Sequence, residues 1–134
     1  MRKNIVSLIL EENGKFLIEK RDESKSTSPE TVIFPAGHVK NGESKECALL
    51  REMREELRII VYKPHLIYVS DFDCEEDQRI HWYACTRYKG RITNNENQEL
   101  LWIKPSEDDI LTHDISRNAL KAYLKYGHNH KTKA

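Results

Sequence analysis

The longest apolar run opens the chain: Ile5, Val6, Leu8, Ile9 and Leu10 are interrupted only by Ser7. A strand with one face in water alternates apolar and polar positions, so this continuous run predicts a central strand covered on both faces. Helices on both sides of a sheet follow from it. Asn4 to Leu10 and Lys15 to Lys20 read as the two strands of a hairpin, because Asn13-Gly14 between them suits the positive backbone angles of a tight turn. Residues 21–30, RDESKSTSPE, are polar and aperiodic and include Pro29, which predicts a loop. Thr31 to Phe34 is a short apolar strand stopped by Pro35, and Ala36-Gly37 then lets the backbone come close to a neighbour.

Beyond this point the apolar period changes. Leu49, Leu50, Met53 and Leu57 fall on one arc of a helix, with Asn41-Gly42 as the turn before it and Ser44 as its N-cap. Ile59 to Val69 and Arg79 to Arg87 are rich in β-branched and aromatic residues and bracket an acidic turn, Cys74 to Gln78, which predicts a long antiparallel pair. A second polar loop, Lys89 to Gln98, leads to a strand at Glu99 to Ile103 that ends before Pro105. Ser106 to Leu111 predicts a helical turn. Ser116 to Tyr126 predicts an amphipathic helix with Ala119, Leu120, Tyr123 and Leu124 on one face and Gly127 as its stop, covering the sheet opposite the first helix. The expected fold class is α/β, a mixed curved sheet between helices (α/β/α sandwich), forming one domain over residues 1–127 with a polar tail at 128–134.

Composition narrows the partners. The 22 basic and 22 acidic residues of the 134-residue chain cancel, so no global field draws in a nucleic acid polymer or an anionic membrane. A small ligand bound locally fits better. The three cysteines, Cys47, Cys74 and Cys85, have no paired metal spacing, and an odd number of thiols fits a reducing cytoplasm. The apolar run at Ile5 to Leu10 is too short for a membrane span.

The candidate chemistry lies on the first helix. At about 100° per residue Glu52, Glu55 and Glu56 fall within roughly 100° of one another, so three carboxylates share one edge beside Arg51. Carboxylates so gathered suit a hard divalent cation, Mg²⁺ above all. The same spacing also describes a solvated edge of Glu–Arg pairs, with Arg51 and Arg54 as partners.

The order of residues separates these alternatives. Gly37, five residues, Glu43, seven residues, then Arg51-Glu52-Met53-Arg54-Glu55-Glu56-Leu57-Arg58-Ile59 resembles the box of the Nudix hydrolases, Gly-x5-Glu-x7-Arg-Glu-U-x-Glu-Glu-x-Gly-U, where U is a bulky aliphatic residue. Every specified position matches except Arg58, where the family has Gly. The resemblance implies a Nudix-type sandwich and a Mg²⁺ or Mn²⁺ site made by the Gly37 carbonyl, Glu52, Glu55 and Glu56, with Glu43 pairing Arg51 and Arg51 holding the carboxylates. It also implies that acidic residues before Trp102, Glu99 as a further metal ligand and Glu96 near the substrate, reach back to the metals or position water, with a phosphate contact from Arg21 and a base contact from Asp114. The general base it implies is Glu52 or Glu56 of the box, or Glu99 or Glu96 beyond it.

The activity expected from this resemblance is that of the MutT-like members, cleavage of a nucleoside or deoxynucleoside triphosphate to monophosphate and pyrophosphate. Other readings remain open: a nucleotide sugar or other nucleoside diphosphate derivative as substrate, or a nucleotide-binding regulator without turnover. Members specific for ADP-ribose or dinucleoside polyphosphates tend to carry a Pro or a Tyr after the box, where this chain has Cys74, Glu75, Glu76 and Asp77. Tyr68, Phe72, Trp82 and Tyr83 supply aromatic faces, of which one or two could stack on a base. The expected partner is a small nucleotide, the expected state a cytoplasmic monomer or homodimer.

Overall fold

The structure, a computed structural model, describes residues 2–21, 31–73, 76–94 and 99–131, with side chains as far as Tyr126. In chain order the elements are β1 (Lys3–Glu12), β2 (Lys15–Arg21), β3 (Thr31–Ile33), β4 (Ala36–His38), α1 (Lys45–Leu57), β5 (Ile60–Val61), β6 (His65–Phe72), β7 (Gln78–Cys85), β8 (Tyr88–Lys89), β9 (Glu99–Ile103), a 3₁₀ helix (Pro105–Ile110) and α2 (Asp114–Lys131). β1 is the axis of the main sheet. Its first half pairs antiparallel with β4, its last residues form the hairpin with β2, and Lys3 to Leu10 run parallel to β7. β3 and β9 flank β2, β6 lies outside β7, and β5 pairs with β8 in a separate small ribbon.

The continuous apolar run of β1 is explained by two cores. Val6, Leu8 and Leu10 pack with Ala48, Leu49, Met53 and Leu57 of α1. Ile5 and Ile9, on the opposite face, pack with Ala119, Leu120 and Tyr123 of α2. The sheet is therefore covered on both sides, as the run predicts. Phe16 meets Tyr123 edge to face on the α2 side, and Phe34 meets Trp82 in the same way.

Several boundaries differ from the sequence reading. The stretch from Ile59 is not one strand: it breaks between Val61 and His65, where Lys63 takes φ 47° and Pro64 follows, because Pro cannot supply a ladder donor there. Its partner, β7, ends at Cys85 rather than Arg87. The last helix begins at Asp114, with the N–H groups of Ser116 and Arg117 bonded to the His113 carbonyl, and it runs through Gly127 to Lys131. A single helical Gly costs about 1 kcal/mol, too little to stop a helix already anchored by its buried face.

α1 carries the turn chemistry expected of it. The Ser44 hydroxyl accepts from Cys47 N at 3.1 Å. At the other end Arg58 takes the left-handed conformation, φ 59° and ψ 36°. Its N–H reaches Arg54 O at 3.1 Å, and Ile59 N reaches Met53 O at 3.4 Å. These are the closing bonds of a Schellman exit, made here without glycine. Gly90 crosses so close to this exit that a Cβ on it would stand 2.9 Å from Arg58 O.

Candidate active site

The box residues meet where α1 passes β4. Burial of Leu49, Met53 and Leu57, about 1.5–3 kcal/mol each, fixes the rotation of α1 against the sheet. Glu56 is about 20° of helical rotation from Leu49, so the same rotation carries it inside: it is 3% exposed. The three glutamates do not share an outward edge, as their spacing alone suggests. Glu55 is exposed, Glu52 half-buried and Glu56 in the core.

Arg51 organises the outer part. Its Nε donates to Glu43 Oε2 at 2.7 Å and its Nη2 to Glu43 Oε1 at 2.9 Å, a two-point grip. Nη2 also donates to the His38 carbonyl at 3.0 Å, and Nη1 to Glu52 Oε1 at 3.0 Å and Glu55 Oε1 at 3.2 Å. One guanidinium thereby ties three box carboxylates, Glu43, Glu52 and Glu55, to β4, the strand that contains Gly37. The grip of Arg51 and a bond from Lys40 N pull the Glu43 carboxyl down to about 2, while the bond to Glu43 pushes Arg51 further above its ordinary value. Glu52 lies directly on Gly37, where a Cβ would stand 2.1 Å from its Cδ and 2.3 Å from Oε2. Only glycine leaves room for the carboxylate here.

The inner part is a pair of buried carboxylates. Glu56 faces Glu19 of β2, which is 0% exposed. Burial, then repulsion from Glu19, raises the Glu56 carboxyl well above the ordinary carboxylate range. Arg21 Nη2 is 3.5 Å from Glu19 Oε1 and 3.8 Å from Glu56 Oε1. Glu56 Oε2 has no hydrogen-bond partner. Glu19 was not among the residues singled out in the sequence, where KFLIEKR reads as a strand becoming polar at its end. The signal was present in the alternation: Leu17 and Glu19 are two apart and share a face, and Leu17 is in the α1 core.

Arg21 also lines a cavity of about 420 Å³ on the α2 side of the sheet. Its walls include Phe34, Phe72, Trp82, His113 and Ser116, with Ala36 beside Gly37. Phe72 and His113 have ring centroids 4.8 Å apart. Of the aromatic candidates, Phe72 and Trp82 face this space, whereas Tyr83 is buried towards α1 and Tyr68 packs against the α2 core. Asp114 is not in the cavity wall; its carboxylate is 88% exposed and paired with Arg117. His113 and Ser116 on either side of it are the wall residues of this helix start. Glu99 is exposed on β9 opposite Lys20, while Leu100 pairs with Glu19, so strand alternation sends Glu99 to the face away from the buried carboxylates. Glu96 lies outside the described residues.

Among the described residues no three acidic, His or Cys side chains converge on one coordinating point. The donors nonetheless fit a hard divalent cation. They are carboxylate and carbonyl oxygens, and a buried oxygen without a donor, Glu56 Oε2, is a cost that a cation relieves.

A model of the NUDIX domain matches residues 1–123, nearly the whole described chain. The chain belongs to the Nudix family. It is a Nudix hydrolase, similar to the CTP pyrophosphohydrolase of Escherichia coli, with 33% identity over 106 residues, 77% of this chain and 76% of that protein. The nucleoside triphosphatase NudI of Escherichia fergusonii is 27% identical over 133 residues, covering 86% of this chain and 89% of the relative. In fold it matches the crystal structure of a MutT NUDIX hydrolase from Burkholderia pseudomallei with a TM-score of 0.82, covering 91% of this chain and 98% of that one at 23% identity. As in the sequence reading, the Nudix sheet is mixed and covered by helices. No described helix is long and apolar enough to cross a membrane.

Proposed function

We propose that this Nudix hydrolase cleaves a nucleoside or deoxynucleoside triphosphate to the monophosphate and pyrophosphate, with Mg²⁺ or Mn²⁺ held by the Gly37 carbonyl, Glu52, Glu55 and Glu56. The observation that carries the reading is the position of Arg21. Its guanidinium touches the buried carboxylates on one side and the aromatic-lined cavity on the other. A nucleotide whose base enters the cavity brings its phosphates past Arg21 to the box. Names of the relatives that include CTP and nucleoside triphosphates support the same substrate class.

The residues divide the work by place. Phe72 and Trp82 offer ring faces to a base. Arg21 contributes positive charge to a phosphate oxygen. Arg51 keeps Glu52 and Glu55 in one arrangement while the substrate arrives, and Gly37 leaves the space in which Glu52 lies. When bound, the divalent cation neutralises charge on the phosphates as the bond to phosphorus breaks. Water attacks phosphorus in line with the leaving group, and its proton goes to a carboxylate; Glu52 and Glu56 are the described candidates in the box, while Glu99 faces away from the buried carboxylates and Glu96 lies beyond the described residues. Asp114 remains a candidate for base contact only if a substrate draws it away from Arg117.

The test is release of pyrophosphate and phosphate, dependent on added Mg²⁺, across nucleoside triphosphates, ADP-ribose and nucleotide sugars, with Glu56→Gln as control. Pyrophosphate from a triphosphate, lost in the variant, is the expected result. Turnover confined to nucleotide sugars or ADP-ribose would overturn the substrate class. The kcat–pH profiles of Glu52→Gln, Glu56→Gln and Glu99→Gln at saturating Mn²⁺ then assign the proton acceptor, the variant that loses the acidic limb being the one that lacks it.

A further inference from the structure

Among the described residues, Glu19 is the one buried acid near the box that the box does not contain. It sits on β2 between Ile33 of β3 and Leu100 of β9, on the face shared with Leu17, in surroundings that would accept Gln or Met of the same length without burying a charge. A carboxylate removed from water costs several kcal/mol unless it is neutralised. Here two are buried against each other, and the nearest guanidinium, Arg21, is 3.5 and 3.8 Å away and 43% exposed. The Glu19 and Glu56 carboxyls are hydrogen-bonded to each other, and one oxygen of the pair, Glu56 Oε2, is buried without a donor. A buried oxygen with no partner, beside a second buried carboxyl, is the arrangement that a cation completes.

We propose that Glu19 is a further carboxylate of the cation site, contributing its charge alongside Glu56 to the divalent ion, an assignment that rests on the box carboxylates holding that ion as proposed above. Glu19 then ties β2 to the site in the way that Gly37 ties β4 and Glu56 ties α1. Arg21, two residues further along the same strand, is placed beside the ion by the same element.

The experiment uses the full chain without nucleotide. Free Mn²⁺ is followed by electron paramagnetic resonance during titration of the wild type, Glu19→Gln, Glu19→Asp and Glu52→Gln, and each protein is melted in EDTA and in Mn²⁺. Glu19→Gln is expected to weaken Mn²⁺ binding at least tenfold, to melt no lower than wild type in EDTA, and to show a smaller rise in melting temperature on adding Mn²⁺. Glu19→Asp, with the charge on a shorter stem, recovers part of the affinity. If Glu19→Gln does not fold, Glu19→Met carries the same expectation. Mn²⁺ binding by Glu19→Gln within twofold of wild type, while Glu52→Gln loses it, would overturn the role of Glu19 alone. A wild type that takes up no Mn²⁺ at millimolar concentration would overturn the box reading and this one with it.

Discussion

At the scale of single residues the site is a set of packing constraints before it is chemistry. Gly37 is needed because the Glu52 carboxylate occupies the place of its side chain. Gly37→Ala therefore displaces Glu52 from Arg51 without disturbing either core. The expected outcome is a melting temperature within a few degrees of wild type and a kcat reduced at least tenfold, measured as pyrophosphate release; unchanged kcat would show that Glu52 works equally well elsewhere. Glu43 is constrained by charge. Arg51 and the Lys40 N–H lower its carboxyl from 4.5 to about 2, and a lowered folded value stabilises the protein above the unfolded value and is lost as pH falls through the folded one. The stabilisation from this pair is thus complete above about 4.5 and fades towards 2. Thermal melts across that range are expected to fall more steeply for wild type than for Glu43→Gln, and parallel curves would refute the linkage. The box spacing made Glu43, Arg51 and Gly37 legible in the sequence, because their contacts are local to one turn and one helix. Glu19 was not legible as a site residue, since its partner is 37 residues away in the chain and only the folded sheet brings them together.

At the scale of elements the sequence was clearest where an apolar pattern and a turn residue agreed. The run Ile5 to Leu10, the Asn13-Gly14 turn and the Ser44 cap each predict what is found. It was less clear where a single residue was asked to decide a boundary: Gly127 does not stop α2, and Pro64 does break the stretch after α1. Arg58 lies between these cases. The motif position calls for Gly, and the chain keeps the left-handed exit with an arginine at φ 59°. That conformation costs an L side chain about 1–2 kcal/mol, partly offset by the greater freedom glycine has when unfolded. Arg58→Gly is expected to raise stability by about 0.5–1 kcal/mol in denaturant titration, because the left-handed exit then carries no side chain. A loss of stability would mean that the arginine side chain contributes more than its backbone costs.

At the scale of the molecule, the sheet separates two half-sites. Carboxylates gather on the α1 side, the cavity opens on the α2 side, and Arg21 at the end of β2 reaches both. The two cores lie on opposite faces of β1, so conservative substitutions in one half are expected to leave the geometry of the other intact. Phe72 tests this. It is half-buried in the cavity wall against His113, and Phe72→Ala removes a ring face at the edge of the α2-side core while leaving the α1 side untouched. Stacking of a base on an aromatic side chain is worth about 1–3 kcal/mol, which corresponds to a KM raised roughly five- to a hundredfold. Mn²⁺ affinity in the absence of nucleotide is expected to stay at the wild-type value, and kcat at saturating substrate to change little, because the box and Arg51 are untouched. A KM that does not move would place the base outside the cavity. A Mn²⁺ affinity that falls together with KM would show that the sheet transmits the change between its faces, and the division of labour across it would have to be abandoned.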